Sequence, residues 1–109
     1  MSTRSIIATT VEGNIKAIYC HFDGDAVGQH LQKNYATQEA AEALIQLGDL
    51  SYIEGLTVCA YHRDKGEPWH KCQPRQLHDM ESLYDYARSE YVNYLHTHNG
   101  ETWNTQKIN

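Results

Sequence analysis

The sequence predicts a single α+β domain over residues 1–109, a mainly antiparallel sheet with about three helices on one face, in the order ββααβαββ. Two observations carry this expectation. Runs rich in β-branched and aromatic residues are joined by turn chemistry at Glu12-Gly13-Asn14 and again at Asn99-Gly100, the strongest short hairpin signals in the chain. Between the two hairpins, segments with apolar residues at helical spacing follow residues suited to capping, Asp25, Thr37 and Asp79.

Taken in order, residues 5–11 and 15–22 read as the first hairpin. Asp25 caps a helix over about 26–35, striped by Val27, Leu31 and Tyr35. Thr37 caps a second, with Ala40, Ala43, Leu44 and Leu47 on one face and Gly48 at its stop. Residues 49–55 read as a loop and 56–61 as a buried strand. Residues 62–78, with Pro68 and Pro74 and no clean period, read as a long loop, and long loops in compact domains are often functional. Asp79 then caps a helix to about Ser89 with Met80, Leu83, Tyr84 and Ala87 inward, before a hairpin of residues 91–96 and 102–106.

Composition narrows the function classes. With 40% apolar residues and eight tyrosines the chain has enough large side chains for a core, despite a mean hydropathy of −0.67. A net charge of −5 argues against duplex nucleic acid, whose binding relies on Lys and Arg neutralising phosphates. No run of about 18 apolar residues exists to span a bilayer and no export signal is read, so a cytoplasmic protein with no membrane partner is expected. The three cysteines, Cys20, Cys59 and Cys72, are then expected to be free thiols. Charge is uneven: residues 63–75 hold Arg63, Lys65, Lys71 and Arg75 against Asp64 and Glu67, whereas residues 79–101 are acidic.

Four constellations bear on chemistry. At Asp23-Gly24-Asp25-Ala26-Val27-Gly28, glycines at a helix start could admit an anion to backbone N–H groups, but Asp25 would cap those donors and repel a phosphate. Seven histidines and three cysteines lack the closed spacing of a zinc site, so no metal or other cofactor is expected, although His96 and His98 share a strand face. Cys20 and His21 point to opposite faces and no nucleophile elbow is present, so no catalytic residue is assigned and binding is expected over catalysis. The fourth is the basic segment 61–71, where Tyr61, Arg63 and Trp69 combine charge-assisted hydrogen bonding with aromatic faces, as in nucleotide sites and protein hot spots; Arg4 joins it if the first strand lies alongside.

The opening Met1-Ser2-Thr3-Arg4-Ser5, the segment His21-Phe22-Asp23-Gly24 with Gly28, and Tyr61-His62-Arg63-Asp64-Lys65-Gly66-Glu67 together resemble a family of short uncharacterised proteins of tailed bacteriophages and prophages. The family often carries Tyr, Pro or Ser where this chain has Asp25 and Ala26. The resemblance implies a small accessory protein in the host cell that binds a ligand or host factor to modulate host physiology or counter host defence, by sequestering a nucleotide-like signalling molecule. Its clustering on polar turns implies a ligand-binding set of Arg4, His21, Asp23, Gly24, Gly28, Tyr61, Arg63, Asp64 and Trp69. The alternatives are a protein inhibitor docking on a host enzyme through Trp69 and the tyrosines, or a small metal-assisted hydrolase using His21 and Asp23. Edge strands and abundant tyrosine point to a homo-oligomer.

Overall fold

The computed structural model describes residues 3–22 and 24–108, and of Asp25 only the backbone. The chain is an α+β domain. Strands β1 (Ser5–Val11) and β2 (Asn14–Cys20) form the expected hairpin. Glu12 (φ 52°) and Gly13 (φ 83°) both take the left-handed conformation of a turn whose twist suits flanking strands. Helices α1 (Gly24–Asn34) and α2 (Gln38–Ile45) follow, the latter capped by Thr37, whose hydroxyl accepts from Ala40 N–H at 3.1 Å.

Strands β3 (Leu50–Glu54) and β4 (Thr57–Ala60) come next, then the short helices α3 (Tyr61–Lys65) and α4 (Trp69–Cys72) and strand β5 (Arg75–Leu77). Helix α5 (Met80–Ser89), capped by Asp79, leads to β6 (Tyr94–His98) and β7 (Trp103–Lys107). The seven strands make one sheet in the order β4-β3-β2-β1-β6-β7, with β5 also pairing with β2. The β1–β6 and β2–β3 pairs are parallel and the other four antiparallel.

The structure departs from the sequence reading in several places, among them the expected buried strand 56–61, which is the shorter β4 with Leu56 exposed, and the expected Asp25 cap, since α1 already begins at Gly24. Residues 49–55 contain strand β3 rather than a loop; a bulge between Leu50 and Tyr52 breaks its two-residue alternation, so the buried Leu50 and Ile53 stand three apart and no strand pattern shows in the sequence. Residues 62–78 are ordered as α3, α4 and β5 rather than as one loop. Helices cover both faces of the sheet: α1 and α2 bury Val27, Leu31, Ala41, Leu44 and Ile45 against Ile7 and Ile18, whereas α5 buries Leu83 and Ala87 against Ile6, Ala8 and Ala17. On α2 the buried face is Ala41, Leu44 and Ile45, with Ala43 exposed.

At the last turn the Asn99 side-chain oxygen accepts from the N–H groups of Glu101 and Thr102, both at 2.9 Å, so the connection is four residues long with His98 opposite Trp103. No helix among the described residues is long and apolar enough to cross a membrane.

Candidate functional site

The segment that carries Trp69 is held from beneath by Gly48 and Asp49. Gly48 (φ 82°) ends α2, and a Cβ there would lie 2.4 Å from the Cys72 carbonyl oxygen and 3.1 Å from Trp69 Cζ3, so only glycine lets α4 seat so closely. Asp49 N–H then donates to Cys72 C=O at 2.8 Å. Trp69, 40% exposed, meets His62 edge-to-face at 5.1 Å, and His62 Nδ1 donates to the Glu67 carbonyl at 2.8 Å.

So placed, Trp69 forms one wall of a half-enclosed hollow of about 280 Å³ between α2 and the α4–β5 segment. Val11, Ile45 and Pro74 supply its other apolar surface, and Lys16, Glu42, Gln46, Gln73 and Gln76 its polar groups. Among the described residues the side-chain amides of Gln46, Gln73 and Gln76 have no hydrogen-bond partner. An aromatic face beside three uncommitted amides, with one cation and one carboxylate, is suited to a planar, hydrogen-bonding ring.

Arg63 and Asp64 sit elsewhere and bind each other. Arg63 Nη2 lies 2.8 Å from Asp64 Oδ2 and donates also to Val58 C=O at 2.8 Å, while Asp64 Oδ2 accepts from Ala60 N–H at 2.8 Å. The Arg63 guanidinium, with Ala60 N–H, holds the Asp64 carboxyl below the usual carboxylate range, and the pairing pushes Arg63 further up. The exposed guanidinium also edges a second, apolar hollow with Tyr35, Leu44, Leu47 and Leu56.

Arg4, His21 and Tyr61 are gathered instead around Tyr19, on the sheet face covered by α5. The Tyr19 hydroxyl lies 2.7 Å from His21 Nδ1. Burial pushes the phenol up, the Arg4 charge opposes that, and Tyr61 reinforces it. The Tyr19 backbone N–H donates to Asp49 Oδ1 at 2.9 Å. That bond has a topological cause: β5 covers β2 only along Ile15–Ala17 and β3 meets it only at Cys20, so the Asp49 carboxylate fills the gap between them. Burial pushes the Asp49 carboxyl up to about 6, offset in part by the Tyr19 N–H and the Arg75 charge. Close by, the Tyr86 hydroxyl is buried with no hydrogen-bond partner among the described residues.

The two glycines of the expected helix-start site serve close packing. Gly24 N–H donates to Thr3 C=O at 2.7 Å, and a Cβ at Gly24 would lie 2.9 Å from that oxygen. A Cβ at Gly28 would lie 2.7 Å from Thr105 Oγ1 and 3.3 Å from His96 Cε1. Asp23 lies outside the described residues.

His96 and His98 share the α1–α2 face as the alternation requires, and each is tied to backbone. His96 Nε2 donates to Gly24 C=O at 3.0 Å, leaving Nδ1 to accept from the Thr105 hydroxyl at 2.8 Å, and burial holds the imidazole down at about 4. His98 Nε2 donates to Ala36 C=O at 2.6 Å. No disulfide joins any two of Cys20, Cys59 and Cys72, and among the described residues no three His, Cys, Asp or Glu side chains converge on a point that could hold a metal ion.

No family model, curated protein or solved structure matches the chain. Of the residues singled out from sequence, the structure brings Arg4, His21 and Tyr61 near one another, and sets Trp69, Gly28 and the Arg63–Asp64 pair apart from them. Sequence reasoning did not find Lys16, Gln46, Gln73, Gln76, Asp49 or Tyr86. The glutamines carry no pattern, since they come from the C-terminal cap of α2, the turn after α4 and strand β5; Asp49 left one trace, a carboxylate directly after a helix-stopping glycine.

Proposed function

We propose that this chain is a phage or prophage accessory protein that binds a small nucleotide-like signalling molecule in the cytoplasm of the host cell, and so modulates host physiology or counters host defence. The observation that carries the binding reading is the Trp69 hollow with the uncommitted amides of Gln46, Gln73 and Gln76. Tryptophan offers a stacking face worth about 1–3 kcal/mol per base, and side-chain amides can satisfy the donor and acceptor edge of a heterocycle. The phage and host-signal part of the reading is supported by the resemblance of the polar turns alone.

Binding is favoured over turnover because the lining groups are amides, one Lys, one Glu and apolar side chains, with no nucleophile beside a base. At about 280 Å³ the hollow sits at the low end of small-molecule sites, and suits the ring of a nucleotide rather than all of it.

Native mass spectrometry of the purified protein before and after incubation with host lysate tests the proposal. A small molecule retained by the wild type and lost from Trp69→Ala supports it. A retained host polypeptide with no small molecule would replace it with the inhibitor reading.

A further inference from the structure

We infer that the Trp69 hollow is half of a longer site, and that the groove lined by His70, Arg75 and Tyr86 on the other side of β5 is a subsite for the anionic group of the same ligand. The inference rests on the reading of the Trp69 hollow as a ring site and adds to it the charge that the ligand carries.

The two hollows are contiguous. Gln73, Pro74 and Gln76 line both, and the second has a volume of about 490 Å³. Consecutive residues of α4 serve the two sides, Trp69 the first and His70 the second. A ligand lying across the Pro74 ridge would place its ring on one side and its charge on the other.

Two features of the second hollow point to an anion. The Arg75 guanidinium is oriented by donating from Nη1 to the Gln73 carbonyl, and among the described residues no carboxylate forms an ion pair with it. Arginine has five N–H donors, so those remaining can meet a phosphate. The Tyr86 hydroxyl, buried and without a partner among the described residues, is the second feature. Such groups are few in folded proteins, and an acceptor bound in the groove would satisfy this one. Asp49 and Glu90 also act on Tyr86, so one compact anionic group suits the subsite better than a polyphosphate tail.

The test uses the ¹⁵N-labelled full chain with three probes: adenosine, AMP and inorganic phosphate. AMP is expected to bind roughly tenfold or more tightly than adenosine, the gain from a charge-assisted hydrogen bond, and Arg75→Gln to abolish that margin. Inorganic phosphate alone should shift the amides of His70, Arg75 and Tyr86. Tyr86→Phe removes a hydroxyl that has no partner among the described residues, so it should leave the melting temperature unchanged while weakening AMP about threefold to tenfold.

Adenosine and AMP binding equally, or AMP affinity unmoved by both variants, would overturn the subsite and leave the ring site standing. Phosphate shifts at the groove without adenosine binding would do the reverse. Phosphate shifts scattered over every basic residue, or none in the groove, would count against the subsite.

Discussion

Arg63 and Asp64 together occupy the place of a missing strand. β4 is the edge of the sheet, and its Val58 C=O and Ala60 N–H are taken by the Arg63 guanidinium and the Asp64 carboxylate, which also pair with each other. One side chain supplies a donor and its neighbour an acceptor. Open strand edges invite pairing with other chains, and covering them with charged side chains is a common protection.

Removing the pair should therefore expose an edge. Arg63→Ala and Asp64→Ala are expected to stay folded, since both side chains are solvent-accessible, and to self-associate more than the wild type. Sedimentation velocity over a range of concentrations reads this directly, and an unchanged distribution for both variants would remove the protective role.

Asp49 links stability to pH with an unusual sign. Its carboxyl is raised to about 6 in the fold from an ordinary 3.8, so the folded state holds the proton over a window where the unfolded chain has lost it. Stability from this group is accordingly highest below about pH 4 and falls as pH rises to about 6. Asp49→Asn keeps an acceptor for the Tyr19 N–H and removes the charge, so it should raise unfolding free energy at pH 7.5 by about 1–3 kcal/mol and leave it unchanged near pH 3.5. Urea titrations at the two pH values check both halves.

His96 works in the opposite direction. Its imidazole is neutral in the fold down to about pH 4, against an ordinary 6.5, so its contribution is fully present above about 6.5 and is lost as pH falls towards 4. The ring-carbon proton signal of His96 should hold its neutral position until about pH 4 in an NMR titration. A midpoint near 6.5 would mean that the ring is open to water, since burial is what holds the value down.

Gly48→Ala should be among the more damaging single-methyl changes. It places a Cβ at a φ of 82° and 2.4 Å from the Cys72 carbonyl oxygen, which is backbone and cannot rotate away. A cost of about 2–4 kcal/mol is expected, from strain in the left-handed region and overpacking together. Because α4 must move, Trp69 emission should shift as well. Gly13→Ala, with nothing within 4 Å of its Cβ position, separates the two terms: it carries the conformational strain alone and should leave the tryptophan spectrum as it is.

Much of the fold was legible because it is local. The Glu12-Gly13 turn, the Thr37 and Asp79 caps and the stop at Gly48 each depend on residues within a few positions, whose conformational preferences and side-chain hydrogen bonds act whatever surrounds them. The apolar residues on both sides of β1 and β2 were also visible, but not that two helices would take one face and α5 the other, because hydrophobic burial has no direction in sequence.

The candidate sites belong to the second kind of information. Trp69 could be singled out from composition, but the hollow beside it exists because α2 and the α4–β5 segment converge there, bringing Gln46 against Gln73 and Gln76. Asp49 became a buried, proton-holding carboxylate only because β3 and β5 leave a gap along β2 at Tyr19. The sequence by itself determined the turns, the caps and which side chains were apolar enough to bury, through short-range sterics and hydrogen bonding. Only the tertiary structure decided which polar groups were taken from water and which met no partner, because desolvation and pairing depend on segments brought together from far apart in the chain.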